Sequence, residues 1–369
     1  MEITENMKTT EKIACVPTAG DYGIITDMLI QRCLGYKTMP CPPMTKRTLE
    51  LGARYSPDMI CTPFKISLGN FIEAAENGAN VIIMLGIVCR LGFFDILQKQ
   101  ILDDLGYDCE MLILFDYLPT VSGEFPTINN MYECLRAINP DLTKEKFYSI
   151  FEIMAKVTFD KDYLADFMRR NIAFEVHKGE YEKHYNDYLQ EAGNVQSVIE
   201  AEEIFAKYKE KIESVAINKP EKPIQIGIIG EIYVVIEPFA NCNIEKWLAK
   251  RKVEIIRPSD WSSTGVAIWS LPELIKNSGG YVNYNIGSTA NDVIAQAHQM
   301  MKGGIDGIIH VKPASCSPEI TGMSILQNMS RDYNIPIMYL TFDTGTSETG
   351  VHTRLEAFYD MVTMKRERD

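Results

Sequence analysis

Short apolar runs alternate with longer amphipathic stretches in the first third of the chain. The apolar runs predict β-strands at 13–16, 58–60, 80–86 and 111–115. The stretches that separate or follow them predict helices at 22–34, 45–52, 63–77 and 93–105. Strands that alternate with crossover helices are typical of a parallel sheet covered by helices on both faces. We therefore predict a doubly wound sheet in this part of the chain.

The strand signal disappears between residues 128 and 215 and returns after 223. In the middle stretch, apolar residues recur at three- and four-residue spacing among many Glu and Lys side chains, which predicts helices with a charged, solvated face. A linker rich in Pro and Lys at 218–223 follows. Further strands are predicted at 224–229, 253–256, 307–311 and 336–342. Helices are predicted at 243–250, 288–301, 318–333 and 350–366.

These patterns predict an α/β fold with two doubly wound parallel-sheet domains of the Rossmann or flavodoxin-like type. We place the N-terminal domain at 1–127, a helical insertion at 128–217 and the C-terminal domain at 218–369. A chain of 369 residues is long enough for such an arrangement to bury large cores without disulfides.

The charge and hydropathy of the chain argue against several kinds of partner and location. The formal net charge is −13, which argues against a nucleic-acid or anionic-membrane surface as the main partner. The longest nearly continuous apolar run, 81–88, is far shorter than the roughly 20 residues of a membrane-spanning helix. The first twelve residues lack the apolar core of a secretory signal. We therefore expect a soluble, cytoplasmic protein.

The chain contains nine cysteines, an odd number that argues against a framework of disulfides in a cytosolic protein. Most of them are expected to be packed thiols, because cysteine is often a small buried residue. Cys61, Cys89 and Cys316 differ, because each follows a predicted strand and precedes a predicted helix. Ligands of open parallel sheets bind at this edge, where the strands end.

Two of these cysteines belong to the first predicted domain and one to the second, so they can meet only in a cleft between the domains. Pro63 and Pro318 each stand two residues after a cysteine, as expected near a first helical turn. The positive end of a helix lowers the pKa of a thiol and favours a thiolate or an anionic cluster. Three thiolates leave one iron of a 4Fe-4S cluster open. A zinc site would need a fourth ligand, for which His310 is the nearest candidate in sequence, unless it is a core histidine.

Several motifs resemble the 2-hydroxyglutaryl-CoA dehydratase D-component family, and in particular its branch of acyl-CoA dehydratase activase-related proteins. The N-terminal motifs are PPMTKRTLELG at 42–52, CTPFK at 61–65 and GIVCRLGFF at 86–94. The C-terminal motifs are EPFAN at 237–241, CSPEI at 316–320 and SRDYNIP at 330–336. The resemblance covers both predicted α/β domains and is weakest in the helical middle.

The resemblance implies a 4Fe-4S cluster held by Cys61, Cys89 and Cys316, and an ATP-hydrolysing activase that donates one low-potential electron. In the dehydratases this electron converts a 2-hydroxyacyl-CoA thioester into a ketyl radical anion, which expels the hydroxyl group and returns the electron. The chain lacks the glycine-rich phosphate loop of such an ATPase, so it is not the activase itself. Related double-cubane proteins hold an 8Fe-9S cluster with six cysteines. The additional ligands would then be Cys15, Cys41 and Cys242, which are otherwise packed thiols.

Two further residues are candidates for the site. Glu319, in the first turn after Cys316, is either a catalytic carboxylate in the cleft or an acid stabilised by the helix dipole. Arg90, next to Cys89, either offsets the negative charge of a bound cluster or lies on the surface.

Three functions remain open. The first is a 2-hydroxyacyl-CoA dehydratase-type lyase, or a subunit of one. The second is an ATP-dependent iron–sulfur reductase or electron-transfer subunit. The third is a non-catalytic, cluster-bearing subunit. A homologous second subunit or a second copy of the chain is a further expected partner.

Overall fold

The structure is a computed structural model that describes residues 11–17, 19–84, 93–114, 128–263, 271–287 and 289–368. Its two sheets each have four strands that all run parallel. The strands of the first sheet are β1 (Ile13–Cys15), β2 (Lys37–Thr38), β3 (Val81–Met84) and β4 (Glu110–Ile113), in the order β2-β1-β3-β4. Helices cover the sheets, so the predicted α/β fold is confirmed.

The helices of the N-terminal domain follow the predicted order with shifted ends. They are α1 (Gly23–Leu29), which continues as a π-helical turn at Ile30–Leu34, then α2 (Lys46–Tyr55), α3 (Thr62–Glu76) and α4 (Phe94–Asp104). The side chains of β3 are all buried, as expected for a central strand of a parallel sheet.

One predicted strand is wrong. Residues 58–60 form a turn, in which the N–H of Ile60 donates to the carbonyl of Pro57 at 3.2 Å. The Met59 side chain is 84% exposed, so this run does not have the buried side chains of a central strand. The place beside β1 is taken by β2, whose two polar residues gave no strand signal. Cys61 therefore follows a turn and not a strand.

Helix α3, which begins directly after Cys61, is held by a close crossing with α2. A Cβ atom on Gly52 would lie 1.7 Å from the backbone oxygen of Lys65, and one on Gly69 would lie 1.9 Å from that of Thr48. Only glycine allows the two helix backbones to approach this closely. Gly52 was predicted to end its helix, but it lies inside α2, where it is needed for this contact.

The helical insertion shares a hydrophobic core with the N-terminal domain. Its helices are α5 (Ile128–Ile138), α6 (Lys144–Asn171), α7 (Glu180–Ala192) and α8 (Val198–Glu213). Thr143 and Ser197 cap α6 and α8, because their hydroxyl oxygens accept backbone N–H groups of the first turn. Buried tyrosines of α7 and α8 belong to the same cluster as Ile25 and Leu29 of α1. The boundaries proposed at 127 and 217 stay predictions.

The C-terminal domain repeats the topology of the first sheet. Its strands are β5 (Ile224–Gly230), β6 (Val253–Ile256), β7 (Gly307–Pro313) and β8 (Ile337–Phe342), in the order β6-β5-β7-β8. Its helices are α9 (Ile232–Ile236), α10 (Ile244–Ala249), α11 (Leu271–Asn277), α12 (Ala290–Lys302), α13 (Ser317–Tyr333) and α14 (Glu348–Arg366). Within the described ranges, every helix is too short or too polar to cross a bilayer.

A buried ionic cluster centred on Lys161 of α6 joins the three parts of the chain. The Lys161 ammonium lies 2.7 Å from the Asp21 carboxylate and 3.2 Å from that of Asp162, and 3.7 Å from the centre of the Tyr22 ring. Asp162 also accepts the backbone N–H of Ser262 in the C-terminal domain at 3.0 Å. Burial raises the pKa of Asp21, but Lys161 outweighs it and holds that pKa below its usual value. This cluster therefore fixes the orientation of the two sheets.

Replacing Lys161 by Met should lower the free energy of unfolding by about 3–5 kcal/mol, because it leaves the buried Asp162 carboxylate and the half-buried Asp21 carboxylate without their cation. Urea denaturation measures the loss. The control is Lys46→Met, whose side chain is 90% exposed beside Glu50 and whose loss should cost under about 0.5 kcal/mol. Equal losses in the two variants would contradict a structural role of the Lys161 cluster.

Candidate functional site

The loops at the carboxyl edges of the two sheets face each other across a cleft between the domains. The Thr62 hydroxyl, at the start of α3, donates to the backbone oxygen of Phe342 at the end of β8, at 2.9 Å. The N–H of Gly20, in the loop after β1, donates to the carboxylate of Glu237 at 2.9 Å. Parallel α/β sheets bind their ligands at this edge. The cleft is therefore the place where a site shared by both domains can form.

Cys61 and Cys316 lie at equivalent positions on opposite sides of this cleft. Each is the residue that precedes the first helical residue, Cys61 for α3 and Cys316 for α13, and in both helices a proline follows at the second position. Both side chains are half-buried, and their neighbours meet at Phe342, whose backbone oxygen accepts the Thr62 hydroxyl and the N–H of Ala314, each at 2.9 Å. The structure thus brings together two of the three cysteines singled out from the sequence. Cys89 lies outside the described residues, as does Arg90.

The helix was expected to lower the pKa of Cys316. For the thiol without a bound cluster, this prediction is wrong. Burial raises the pKa of Cys316 to about 12, and the N–H of Glu319, which donates to the sulfur, opposes this only in part. The carboxylates of Glu319 and Glu231 raise that pKa further. The helix N-terminus alone would lower this pKa, but burial of the thiol, which depends on the whole fold, outweighs that effect. A positive ion at the sulfur would reverse the effect of its acidic surroundings.

Glu319 points into the protein and not to solvent. Its side chain is 1% exposed, and its carboxylate lies 2.8 Å from Nε2 of the fully buried His310. The other carboxylate oxygen accepts the Thr289 hydroxyl at 3.3 Å. An exposed acid that only stabilises a helix N-terminus would not need such partners. The structure therefore favours a site carboxylate over the helix-dipole interpretation, although its catalytic role stays a prediction.

Further ionisable side chains surround this pair. Lys312 is buried at the end of β7, and burial lowers its pKa, while Cys316 and Glu319 raise it. Burial raises the pKa of Glu231 to about 7, against the opposing effect of two backbone N–H groups at the start of α9. Burial also raises the pKa of Asp292 to about 7, although a hydrogen bond from Gln296 at 2.9 Å opposes the shift. The site thus holds acids that titrate near neutral pH.

The Asp292 carboxyl group should make the stability of the protein depend on pH. Its pKa is higher in the folded state than in the unfolded chain, so the folded state binds the proton more tightly and loses stability as the pH rises from about 4 to about 7. Between pH 5 and pH 8 this group should cost about 2–3 kcal/mol. Asp292→Asn, which still accepts from Gln296, should therefore become more stable relative to the wild type as the pH rises. Urea denaturation at four pH values tests this, and a pH-independent difference would contradict it.

The three cysteines named from the sequence as additional ligands lie in different surroundings. The sulfurs of Cys15 and Cys41 are 2.8 Å apart. Cys242 packs near α14, where its backbone oxygen contacts His352. The proposed ligand roles of these three cysteines stay predictions.

Sequence reasoning did not single out Lys312 or Asp292, and it treated His310 mainly as a zinc ligand or core residue. The spacing of His310 and Lys312 could have revealed two of these residues. His310 and Lys312 are two residues apart in a strand that is otherwise apolar, so they project from the same face of the sheet. A lysine and a histidine on one face of a buried strand require polar partners.

The described residues alone do not complete a metal site. Among them, no three His, Cys, Asp or Glu side chains are close enough together to hold a metal ion. The donor atoms that do meet, the sulfurs of Cys61 and Cys316, are of the kind that binds iron–sulfur clusters. Both also stand at helix N-termini, which favour an anionic group. The pair therefore fits such a cluster if a third ligand comes from elsewhere.

Comparison with known families gives one match. The sequence profile of the family described as 2-hydroxyglutaryl-CoA dehydratase, D-component, matches residues 240–362. The match confirms the predicted resemblance for about a third of the chain, which includes Cys316, Glu319, His310 and Lys312. Comparison with curated proteins gave no match.

Proposed function

We propose that this protein is a component of a 2-hydroxyacyl-CoA dehydratase-type system and holds a 4Fe-4S cluster in the cleft between its domains. Cys61, Cys316 and Cys89 are its ligands in this proposal. When bound, the cluster supplies an electron of low potential and one iron open to the substrate. The family match within the C-terminal domain supports the assignment to such a system.

The observation that carries the proposal is the meeting of Cys61 and Cys316. They are separated by 254 intervening residues and belong to different domains, yet one backbone oxygen, that of Phe342, accepts both the hydroxyl of Thr62, next to Cys61, and the N–H of Ala314, two residues before Cys316. Packing alone does not require two cysteines to precede two helices that face each other. Cys89 follows β3 in the sequence, and β3 lies next to β1 at the centre of the first sheet.

The side chains around the cysteines have defined tasks in this proposal. Glu319 holds or moves a proton at its carboxylate, which His310 orients through their hydrogen bond. The Lys312 ammonium offsets part of the negative charge of thiolate ligands. Burial of the Glu319, His310 and Lys312 side chains excludes water from their part of the cleft.

The substrate in this proposal is a 2-hydroxyacyl-CoA thioester, and the electron donor is an ATP-hydrolysing activase. The test combines the anaerobically reconstituted protein with the activase, ATP, a strong reductant and 2-hydroxyacyl-CoA thioesters. Formation of the unsaturated acyl-CoA only with all components supports the proposal. About four irons per chain are expected, whereas about eight would favour the double-cubane reductase. A full cluster with no dehydration, with or without a homologous second subunit, would contradict the assigned reaction.

A further inference from the structure

A second pair of cysteines lies at the carboxyl edge of the first sheet. The sulfurs of Cys15 and Cys41 are 2.8 Å apart. Cys15 is the last residue of β1 and is fully buried, whereas Cys41 follows β2 and is half-buried. This contact is separate from the hydrogen bonds of Glu319, although Cys61 packs against the same hydrophobic cluster.

The parallel pairing of β1 with β2 explains why the two thiols meet. Ile13 and Ala14 pair with Lys37 and Thr38, and the N–H of Met39 donates to the carbonyl of Ala14 at 2.8 Å. Side chains alternate between the faces of a strand, so Cys41, two residues after Met39, returns to the face of Met39. The side chains of Cys15, Met39 and Cys41 belong to one hydrophobic cluster. The contact is thus set by the backbones of two neighbouring strands.

The separation of the sulfurs favours a covalent bond between them over a bridging metal. A disulfide bond is about 2.05 Å long, so the two sulfurs must approach by less than 1 Å. Two thiolates on one tetrahedral metal ion, each about 2.3 Å from it, would be about 3.8 Å apart.

We propose that Cys15 and Cys41 are a redox-active dithiol that forms a disulfide by exchange with a low-molecular-weight disulfide. Cys41, the more accessible of the two, attacks one sulfur of that disulfide and releases the first small thiol. Cys15 then attacks the sulfur of Cys41 and displaces the second small thiol, which takes up the proton of Cys15. The two cysteine sulfurs are oxidised, and the small disulfide is reduced to two thiols.

The disulfide would tie the segment after β2 to the end of β1 at the domain interface. In that segment, the sulfur of Met44 accepts the hydroxyl of Tyr233 in α9 at 3.8 Å. Cys41 also raises the pKa of Tyr233, after the larger effects of burial and of Glu237 and Glu231. Oxidation of the pair would therefore act on a loop that contacts the C-terminal domain.

Peptide mapping of the full-length protein tests this proposal. The protein is treated with oxidised glutathione, the remaining thiols are alkylated, and the chain is cut with trypsin without reduction. Cys15 then lies in the peptide 13–32 and Cys41 in the peptide 38–46, whereas Cys33 lies between them in 33–37. A cross-link between 13–32 and 38–46 that disappears on reduction is the expected result. Alkylation of Cys41 in the folded protein should fall at least tenfold after oxidation and return after reduction.

Single-residue variants distinguish the Cys15–Cys41 pair from the other thiols. Cys33→Ser should keep the cross-link, and Cys15→Ser and Cys41→Ser should each abolish it. Two results would overturn the proposal. In the first, the wild-type peptides 13–32 and 38–46 are both recovered alkylated and unlinked; in the second, Cys41 is linked to the peptide 55–65, which contains Cys61. Loss of iron from the reconstituted protein in Cys15→Ser would overturn it as well, because it would identify the pair as metal ligands.

Discussion

Replacing Cys316 by Ala should reduce the iron content of the anaerobically reconstituted protein from about four atoms per chain to less than one. Cys61→Ala should have the same effect. Each substitution removes one of the two thiols that meet across the cleft, and a cluster held from only one domain would lose the ligands that close its site. The iron-to-protein ratio and the visible absorbance of the cluster measure the loss.

Two other cysteines provide controls for this prediction. Cys33→Ala removes a fully buried thiol in the π-helical turn, and Cys242→Ala removes a half-buried thiol in the same domain as Cys316. Both variants should keep about four irons. Full iron content in Cys61→Ala and Cys316→Ala would show that these thiols are not ligands.

Replacing Glu319 by Gln should lower the dehydration rate by about 10²- to 10⁴-fold, because the amide cannot hold or transfer a proton at this position. Gln has nearly the same size and can still accept the Thr289 hydroxyl, so folding and iron content should be unchanged. Activity at saturating substrate, measured together with iron content, separates a catalytic role from a structural one.

Glu348 provides the matched control, because it is also an acid in the first turn of a helix but is largely exposed. Glu348→Gln should keep the wild-type rate. If Glu319→Gln retained the wild-type rate too, the Glu319 carboxylate would be a structural group. If it lost its iron, the carboxylate would instead be needed to form the metal site.

The central strands could be predicted because they are mostly apolar. Strands β3, β5 and β7 are largely buried on both faces, and the mostly apolar runs at 80–86, 224–229 and 307–311 predicted all three. Strand β2 could not be found in this way, since Lys37 and Thr38 are polar and lie at the edge of the sheet. The run at 58–60 led to a wrong strand prediction, because the sequence pattern does not show that Met59 is exposed in a turn.

Only part of the site could be predicted from the sequence. The prolines after Cys61 and Cys316 correctly placed both thiols at helix starts, which local chemistry determines. The predicted direction of the Cys316 pKa shift was wrong, because burial of the thiol raises this pKa and the carboxylates of Glu319 and Glu231 raise it further. The partners of Glu319 come from β7 and from the residue before α12, so only the fold brings them together.

The most direct test of the central claim is a crystal structure of the anaerobically reconstituted protein with anomalous scattering measured at the iron absorption edge. A peak of iron density within bonding distance of the Cys61 and Cys316 sulfurs is the predicted result. Iron bound elsewhere in the protein, with these two sulfurs left uncoordinated, would contradict a cluster shared between the domains.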